Sequence, residues 1–286
     1  MDATSPPDSP RPLRRVRPPS SQQRFYADKH PARTARIAAA YTEGEGAASI
    51  AKREGVTEVT VRRALRRSGV VMRPPGKPRT CAVNERYFER VEDEARAYWL
   101  GFLLADGCVT NGALRVRLAE RDRAHLEALR AAMGSTHAIT EVTGGGFKAD
   151  ARHVDWAVKS KVLCEGLGRW GVVPRKSGHE VAPELPHELV RHFWRGVLDG
   201  DGWVCRSGRK WFVGITGSAA LCQAFGAYVR GVLPETRAEV RANGTARKFQ
   251  VSGTTGPREL LRVLYEGAAV ALPRKAEKAR ECIAEV

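Results

Sequence analysis

Two stretches of this chain, Trp99-Leu100-Gly101-Phe102-Leu103-Leu104-Ala105-Asp106-Gly107 and Trp194-Arg195-Gly196-Val197-Leu198-Asp199-Gly200-Asp201-Gly202, carry one pattern twice, 95 residues apart. Each reads as an apolar helix whose last turn ends on Asp-Gly. A carboxylate there faces the negative end of the helix macrodipole, an unfavourable place unless a cation sits beside it. Gly101 and Gly196, with Gly200 added in the second copy, cost about 1 kcal/mol each in helix propensity. Close approach of two helix backbones offsets that cost. Packed through their apolar faces, the two helices bring their Asp-Gly ends together as a set of oxygen ligands suited to a divalent cation.

The pair resembles the two motifs of single-chain LAGLIDADG homing endonucleases. Both copies depart from that pattern, with Trp99 and Trp194 at the first Leu position and Arg195 at the second, and both keep the final Asp-Gly. One apolar helix ending in Asp-Gly is ordinarily only a helix end. Recurrence, with the same order of elements after each copy, carries the reading. A second signature is also duplicated: Val173-Pro174-Arg175-Lys176 and Leu272-Pro273-Arg274-Lys275, whose lysines lie 70 and 74 residues after Asp106 and Asp201.

The resemblance implies an α+β fold, with two pseudo-symmetric αββαββα halves forming a DNA-binding saddle. It implies Asp106 and Asp201 as catalytic metal ligands, the backbone carbonyls of Ala105 and Gly200 as secondary ligands, and Lys176 and Lys275 as catalytic-site lysines. Mg2+ or Mn2+ is the implied cofactor. The implied partner is double-stranded DNA with a long pseudo-palindromic target, cut on both strands by a monomer. The water-orienting position at the end of the second strand has no clean match, since Glu120 stands near it in the first half and Thr216 or Ser218 in the second. Asp199, close before Asp201, has Leu104 as its counterpart, which argues against an essential role for that position.

Charge points the same way. The 286 residues hold 48 Lys and Arg against 32 Asp and Glu, a net +16 that predicts a polyanionic partner. Residues 1–80 contain 17 basic and 7 acidic residues, so +10 of that excess precedes the first motif. Six cysteines (81, 108, 164, 205, 222 and 282) form no CxxC pair and no zinc-finger spacing, and are expected to be reduced, partly buried thiols. No apolar run approaches a membrane span and no signal-peptide pattern opens the chain, so a cytoplasmic, nucleoid-associated protein of a bacterium or phage is expected.

Residues 1–24, with six prolines and five arginines, read as a disordered basic arm. Residues 25–72 read as a helix-turn-helix domain resembling those of resolvases. Its inner face draws on Ala48, Ile50, Ala51, Val56, Val61 and Leu65, Thr57 is an N-cap, and Arg62, Arg63 and Arg66 face outward. Residues 73–84 are a Pro-rich linker, 85–184 the first half and 185–286 the second. Residues 85–97 are expected to be helical and to lead into the first motif.

Gly112 to Ala119 alternates strictly, with Leu114, Val116 and Leu118 on one face and Arg115 and Arg117 on the other, as in a half-buried strand. Thr136–Val142, Val154–Val158, Arg237–Arg241 and Arg247–Val251 are further strands, and Trp203–Thr216 is a hairpin. Candidate DNA-reading residues on the polar faces are Arg115, Arg117, Lys148, His153 and Asp155 in the first half. In the second they are Arg209, Lys210, Arg237, Arg241, Lys248 and Gln250. Two other functions share such a fold: a DNA-binding transcription regulator that has lost cleavage, and an intron-splicing maturase. No splicing-type N-terminal nucleophile or C-terminal His-Asn is present, so an intron-encoded or freestanding protein is expected rather than an intein.

Overall fold

The structure, a computed structural model, describes residues 30–72, 80–144 and 150–285. The chain divides into two units, Met1–Pro78 and Arg79–Val286. The arm at 1–24 and the candidate contact Lys148 lie outside the described residues.

The described residues of the first unit form three helices, α1 (Pro31–Thr42), α2 (Ala47–Glu54) and α3 (Glu58–Arg67). Pro31 opens α1, where its missing N–H costs no helix bond. Gly55, at φ 64°, closes α2 in the left-handed region, and the Thr57 hydroxyl caps α3 by accepting from the Thr60 N–H at 3.3 Å. Ile37, Tyr41, Ile50, Ala51, Val61 and Leu65 form the core of this unit. Ala48, expected inside, is exposed. The helix phase turns Ala47, three and four residues before Ile50 and Ala51, toward the core instead. Arg62, Arg63 and Arg66 are exposed, and Arg62 is paired with Glu58 one turn earlier.

The second unit repeats one arrangement. Its first half runs α4 (Glu94–Asp106), β1 (Gly107–Thr110), β2 (Ala113–Ala119), α5 (Arg123–Ala132), β3 (Ile139–Thr143), β4 (Arg152–Lys159) and α6 (Lys161–Gly168). The second half runs α7 (His187–Asp201), β5 (Gly202–Ser207), β6 (Lys210–Gly217), α8 (Ala219–Val232), β7 (Val240–Asn243), β8 (Ala246–Gly253) and α9 (Thr255–Tyr265). The sheets are antiparallel, in the orders β1-β2-β4-β3 and β5-β6-β8-β7. A further helix, α10 (Pro273–Ala284), has no counterpart among the described residues of the first half. Pro273 reads in sequence as a loop signal, yet it occupies the first turn, where proline is tolerated.

Three expectations change. Residues 85–92 form turns rather than helix, because the Asp93 carboxylate accepts the Arg96 N–H at 2.8 Å and starts α4 there, while Tyr87 and Phe88 turn into the core. Strand β7 begins at Val240, so Arg237 precedes it. The cysteines are free but not uniformly partly buried: Cys108 and Cys205 are exposed, and Cys222 and Cys282 are buried.

The alternation in β2 holds, with Leu114, Val116 and Leu118 buried and Arg115 and Arg117 outward. Register fixes which positions of the two sheets correspond. Val116 pairs with Gly107 and Trp156, and Ile215 with Gly202 and Phe249. Arg115, Arg117 and Asp155 therefore correspond to Gly214, Thr216 and Lys248. One core runs through both halves, with Trp99, Phe102, Trp156, Phe193, Phe225 and Phe249 all buried. Among the described residues no helix is long and apolar enough to cross a membrane.

Candidate active site

The two motif helices touch backbone to backbone. A Cβ on Gly101 would stand 2.0 Å from the Phe193 carbonyl oxygen, one on Gly196 2.0 Å from that of Tyr98, and one on Gly200 2.3 Å from the Ala105 Cβ. No side chain fits at any of the three. The departures from the motif have structural reasons. Trp99 packs its ring 4.8 Å from that of His125 on α5, and Trp194 packs 5.1 Å from Phe225 on α8, so each fills the same niche in its own half. Arg195 is fully buried and donates to Val270 O at 2.8 Å, Leu264 O at 2.9 Å and Glu94 Oε1 at 2.6 Å.

This packing sets Asp106 and Asp201 at the ends of neighbouring helices, with Asp106 Oδ2 only 3.5 Å from the Cβ position of Gly200. Neither carboxylate has a hydrogen-bond or ion-pair partner among the described residues. Loss of water pushes the Asp106 carboxyl up to about 6, and Asp201 adds to the rise. Desolvation also raises Asp201, the more exposed of the two, against the pull of Lys176 and Lys275. Among the described residues no group of three or more His, Cys, Asp or Glu is placed to hold a metal. Two unpartnered carboxylates nevertheless suit Mg2+, which keeps several waters and takes one or two carboxylates together with substrate phosphates.

Both Pro-Arg-Lys lysines reach this place, and both are buried. Lys176 donates to Ala105 O at 2.7 Å, so the carbonyl expected as a secondary metal ligand already accepts a hydrogen bond. Lys275 donates to Leu198 O at 2.6 Å, Asp199 O at 2.8 Å and Gly202 O at 2.6 Å. Each lysine thus supplies the cation that the negative end of a motif helix requires. Desolvation lowers both ammonium groups, Lys275 to about 8.

Asp199 matters structurally despite its mismatch with Leu104. Its buried carboxylate accepts from Tyr98 Oη at 2.7 Å, Tyr265 Oη at 2.6 Å and Leu272 N at 2.7 Å. It joins α4 of one half to the start of the second Pro-Arg-Lys segment. Tyr98 Oη also meets His125 Nε2 at 2.9 Å, and desolvation lowers His125 to about 3, so that imidazole is neutral. Arg274 crosses to Asp122 at 3.1 Å.

Glu180 also went unread in the sequence. Its buried carboxylate accepts from Gly178 N at 3.0 Å and Ser218 N at 3.0 Å, which ties the Lys176 loop to the N-terminus of α8. Of the candidate water-orienting residues, Ser218 is that helix's N-cap, Glu120 pairs with Arg152 and Thr216 accepts from Asn243.

No family model matches the chain, and no curated protein does. Among solved structures it is similar to the LAGLIDADG meganuclease I-AabMI bound to uncleaved DNA, at 13% identity over 67% of this chain and 89% of that one, TM-score 0.44. It is similar to the LAGLIDADG homing endonuclease I-GzeII in complex with its DNA target, at 10% identity over 68% and 89%, TM-score 0.47. A third is the N-terminal LAGLIDADG domain of DUF199/WhiA, at 13% identity over 68% and 93%, TM-score 0.46.

The two sheets carry the remaining candidates. Arg115 and Arg117 are not free, since both bind the buried Asp155 on β4. His153 is half-buried, with Nε2 unpartnered among the described residues. In the second sheet Arg241 is exposed and lies opposite Lys248. Both line, with Gln250, Arg237 and Ser252, a cavity of about 350 Å3. Arg209 and Lys210, both exposed, sit at the β5–β6 turn.

Proposed function

We propose that this chain is a site-specific DNA endonuclease that hydrolyses phosphodiester bonds where α4 and α7 end. The observation carrying the proposal is a helix pair in backbone contact that delivers two carboxylates, each without a partner among the described residues, to one place beside two buried lysines. Asp106 and Asp201 hold Mg2+ or Mn2+, while Gly200 and Ala105 keep the helix ends close enough for both carboxylates to share the site. When bound, the ion supplies Lewis acidity at a phosphoryl oxygen and lowers the pKa of a bound water. Lys176 and Lys275 hold positive charge where the phosphate gains negative charge.

Arg115, Arg117, Arg209, Lys210, Arg241, Lys248 and Gln250 on the sheets meet the duplex. The N-terminal unit acts as a helix-turn-helix whose Arg62, Arg63 and Arg66 add phosphate contacts. The working protein is a monomer, since both halves of the site lie in one chain.

A second reading has its own support. Both lysines are already engaged as helix caps, and Lys176 occupies the Ala105 carbonyl, which suits a DNA-binding regulator without cleavage. Plasmid-library cleavage with Mg2+, run beside gel-shift titration in Ca2+, decides between them. The endonuclease cuts, Asp106→Asn and Asp201→Asn each abolish cutting, and both variants bind as wild type. Wild-type-like cutting by either variant sinks the ligand assignment, and binding without any cutting by the wild type leaves the regulator.

A further inference from the structure

The polar face of the first sheet bears a charge arrangement that the second sheet lacks. Arg115 and Arg117 stand two apart on β2, and each gives its Nε–H to Asp155 on β4, at 2.9 and 3.1 Å. Asp155 lies directly across from Arg117 and is 5% exposed, while the two arginine side chains are 51% and 38% exposed. A carboxylate held this low on a solvent-facing sheet grips each guanidinium by its inner edge. The outer nitrogens, Nη1 and Nη2 of both arginines, have no partner among the described residues.

A planar pair of N–H donors in fixed orientation matches guanine O6 and N7 in the major groove. Phosphate accepts the same fork, but β2 and β4 are the two inner strands of the sheet, so a groove centred on this sheet would bring its base edges rather than its phosphate walls to these arginines. Strand positions two apart are separated by about 6.6 Å, close to two base steps of about 3.4 Å each.

The second sheet offers nothing comparable. The corresponding positions are Gly214, Thr216 and Lys248, so a lysine stands where the first half has its aspartate. Arg241 takes the place of Thr140, and Trp203 Cζ2 would lie 2.7 Å from a Cβ on Gly214, so an indole covers the position where an arginine would leave the strand. We propose, resting on the DNA-binding reading above, that the first half reads guanines through an Arg115–Arg117 pair locked by Asp155 while the second half does not. The target is therefore asymmetric, with guanines within two base steps of each other on one side only. Asp155 is a positioning residue that never touches the base.

The test is selection of the full chain on a randomised duplex DNA library in Ca2+, followed by sequencing. Wild type yields one guanine element with no mirrored copy. Arg115→Lys and Arg117→Lys keep charge and lose the fork, so each drops about tenfold of guanine preference at one position. Asp155→Asn relaxes both positions together, with binding to unselected DNA held near wild type. Should that variant fold poorly, the two exposed lysine replacements still decide the matter. A mirrored or guanine-free wild-type motif overturns the proposal, as do lysine variants that keep the preference or lose affinity uniformly over all sequences, the mark of phosphate contacts. Enrichment of no duplex at all overturns the DNA-binding reading instead.

Discussion

Lys275 gives its protons to three carbonyls at the end of α7, whereas Lys176 gives one to a single carbonyl of α4. An orphaned buried acceptor costs about 1–3 kcal/mol, so Lys275→Met should lower the unfolding free energy by about 2 kcal/mol or more and Lys176→Met by about 1 kcal/mol. Urea titrations of both variants check this, and equal losses would contradict the difference in roles. Two desolvated titrating groups nearby pull stability in opposite directions with pH. His125, held at about 3, binds fewer protons folded than unfolded, so its contribution is full above pH 6.5 and is lost as pH falls toward 3. Asp106, raised to about 6, binds more protons folded than unfolded between pH 3.8 and 6, so its contribution falls as pH rises through that window. Asp106→Asn should therefore raise the melting temperature at pH 7.5 and change it little at pH 3.5. Equal stabilisation at both values in thermal melts would mean the carboxyl titrates normally.

At the scale of elements, the contact of α4 with α7 is the least forgiving among the described residues. Gly101→Ala and Gly196→Ala force a methyl into a backbone atom 2.0 Å away, beyond what side-chain rearrangement relieves. Each should cost about 3 kcal/mol or more, at the upper end of overpacking effects. Gly231→Ala, in α8 with open space around it, should instead stabilise by roughly 0.5–1 kcal/mol. Chemical denaturation of the three variants tests the pairing, and a mild effect at Gly101 would mean the helices are further apart. That helix pair was legible in sequence because its signal is local: glycines and an Asp-Gly end at fixed spacing, written twice. Strand alternation around Arg115 and Arg117 was legible for the same reason. Asp199 was not, because its partners Tyr98 and Tyr265 lie 101 and 66 residues away and no periodicity links them. Glu180 sits in a stretch without periodic pattern, and only the fold sets it against Ser218. Helix α10 escaped because it is strongly polar and opens with a proline.

For the whole molecule, the +10 charge within residues 1–80 makes a prediction about salt. A chain starting at Arg79 should retain the unfolding transition of the second unit, yet show a shallower dependence of log affinity on log salt, by about 0.9 for each phosphate contact removed. An unchanged slope in a gel-shift series would mean the first unit makes no electrostatic contact with DNA. Within the second unit, the contacts around Asp199 and Arg195 make the two halves complementary rather than interchangeable. Tyr98 of the first half donates to Asp199 of the second, and Glu94 of the first receives Arg195 of the second. The counterparts 95 positions along are Phe193 for Tyr98, Leu189 for Glu94, Leu104 for Asp199 and Leu100 for Arg195. Two copies of the second half, set face to face, would bury an arginine against leucine and leave Asp199 with a phenylalanine where its tyrosine donor stood. Two copies of the first would leave Tyr98 with His125 but no carboxylate to receive its proton, and Glu94 without the arginine that meets it. Each half thus needs the other rather than a copy of itself: the tyrosine and glutamate of one find their aspartate and arginine only in the other.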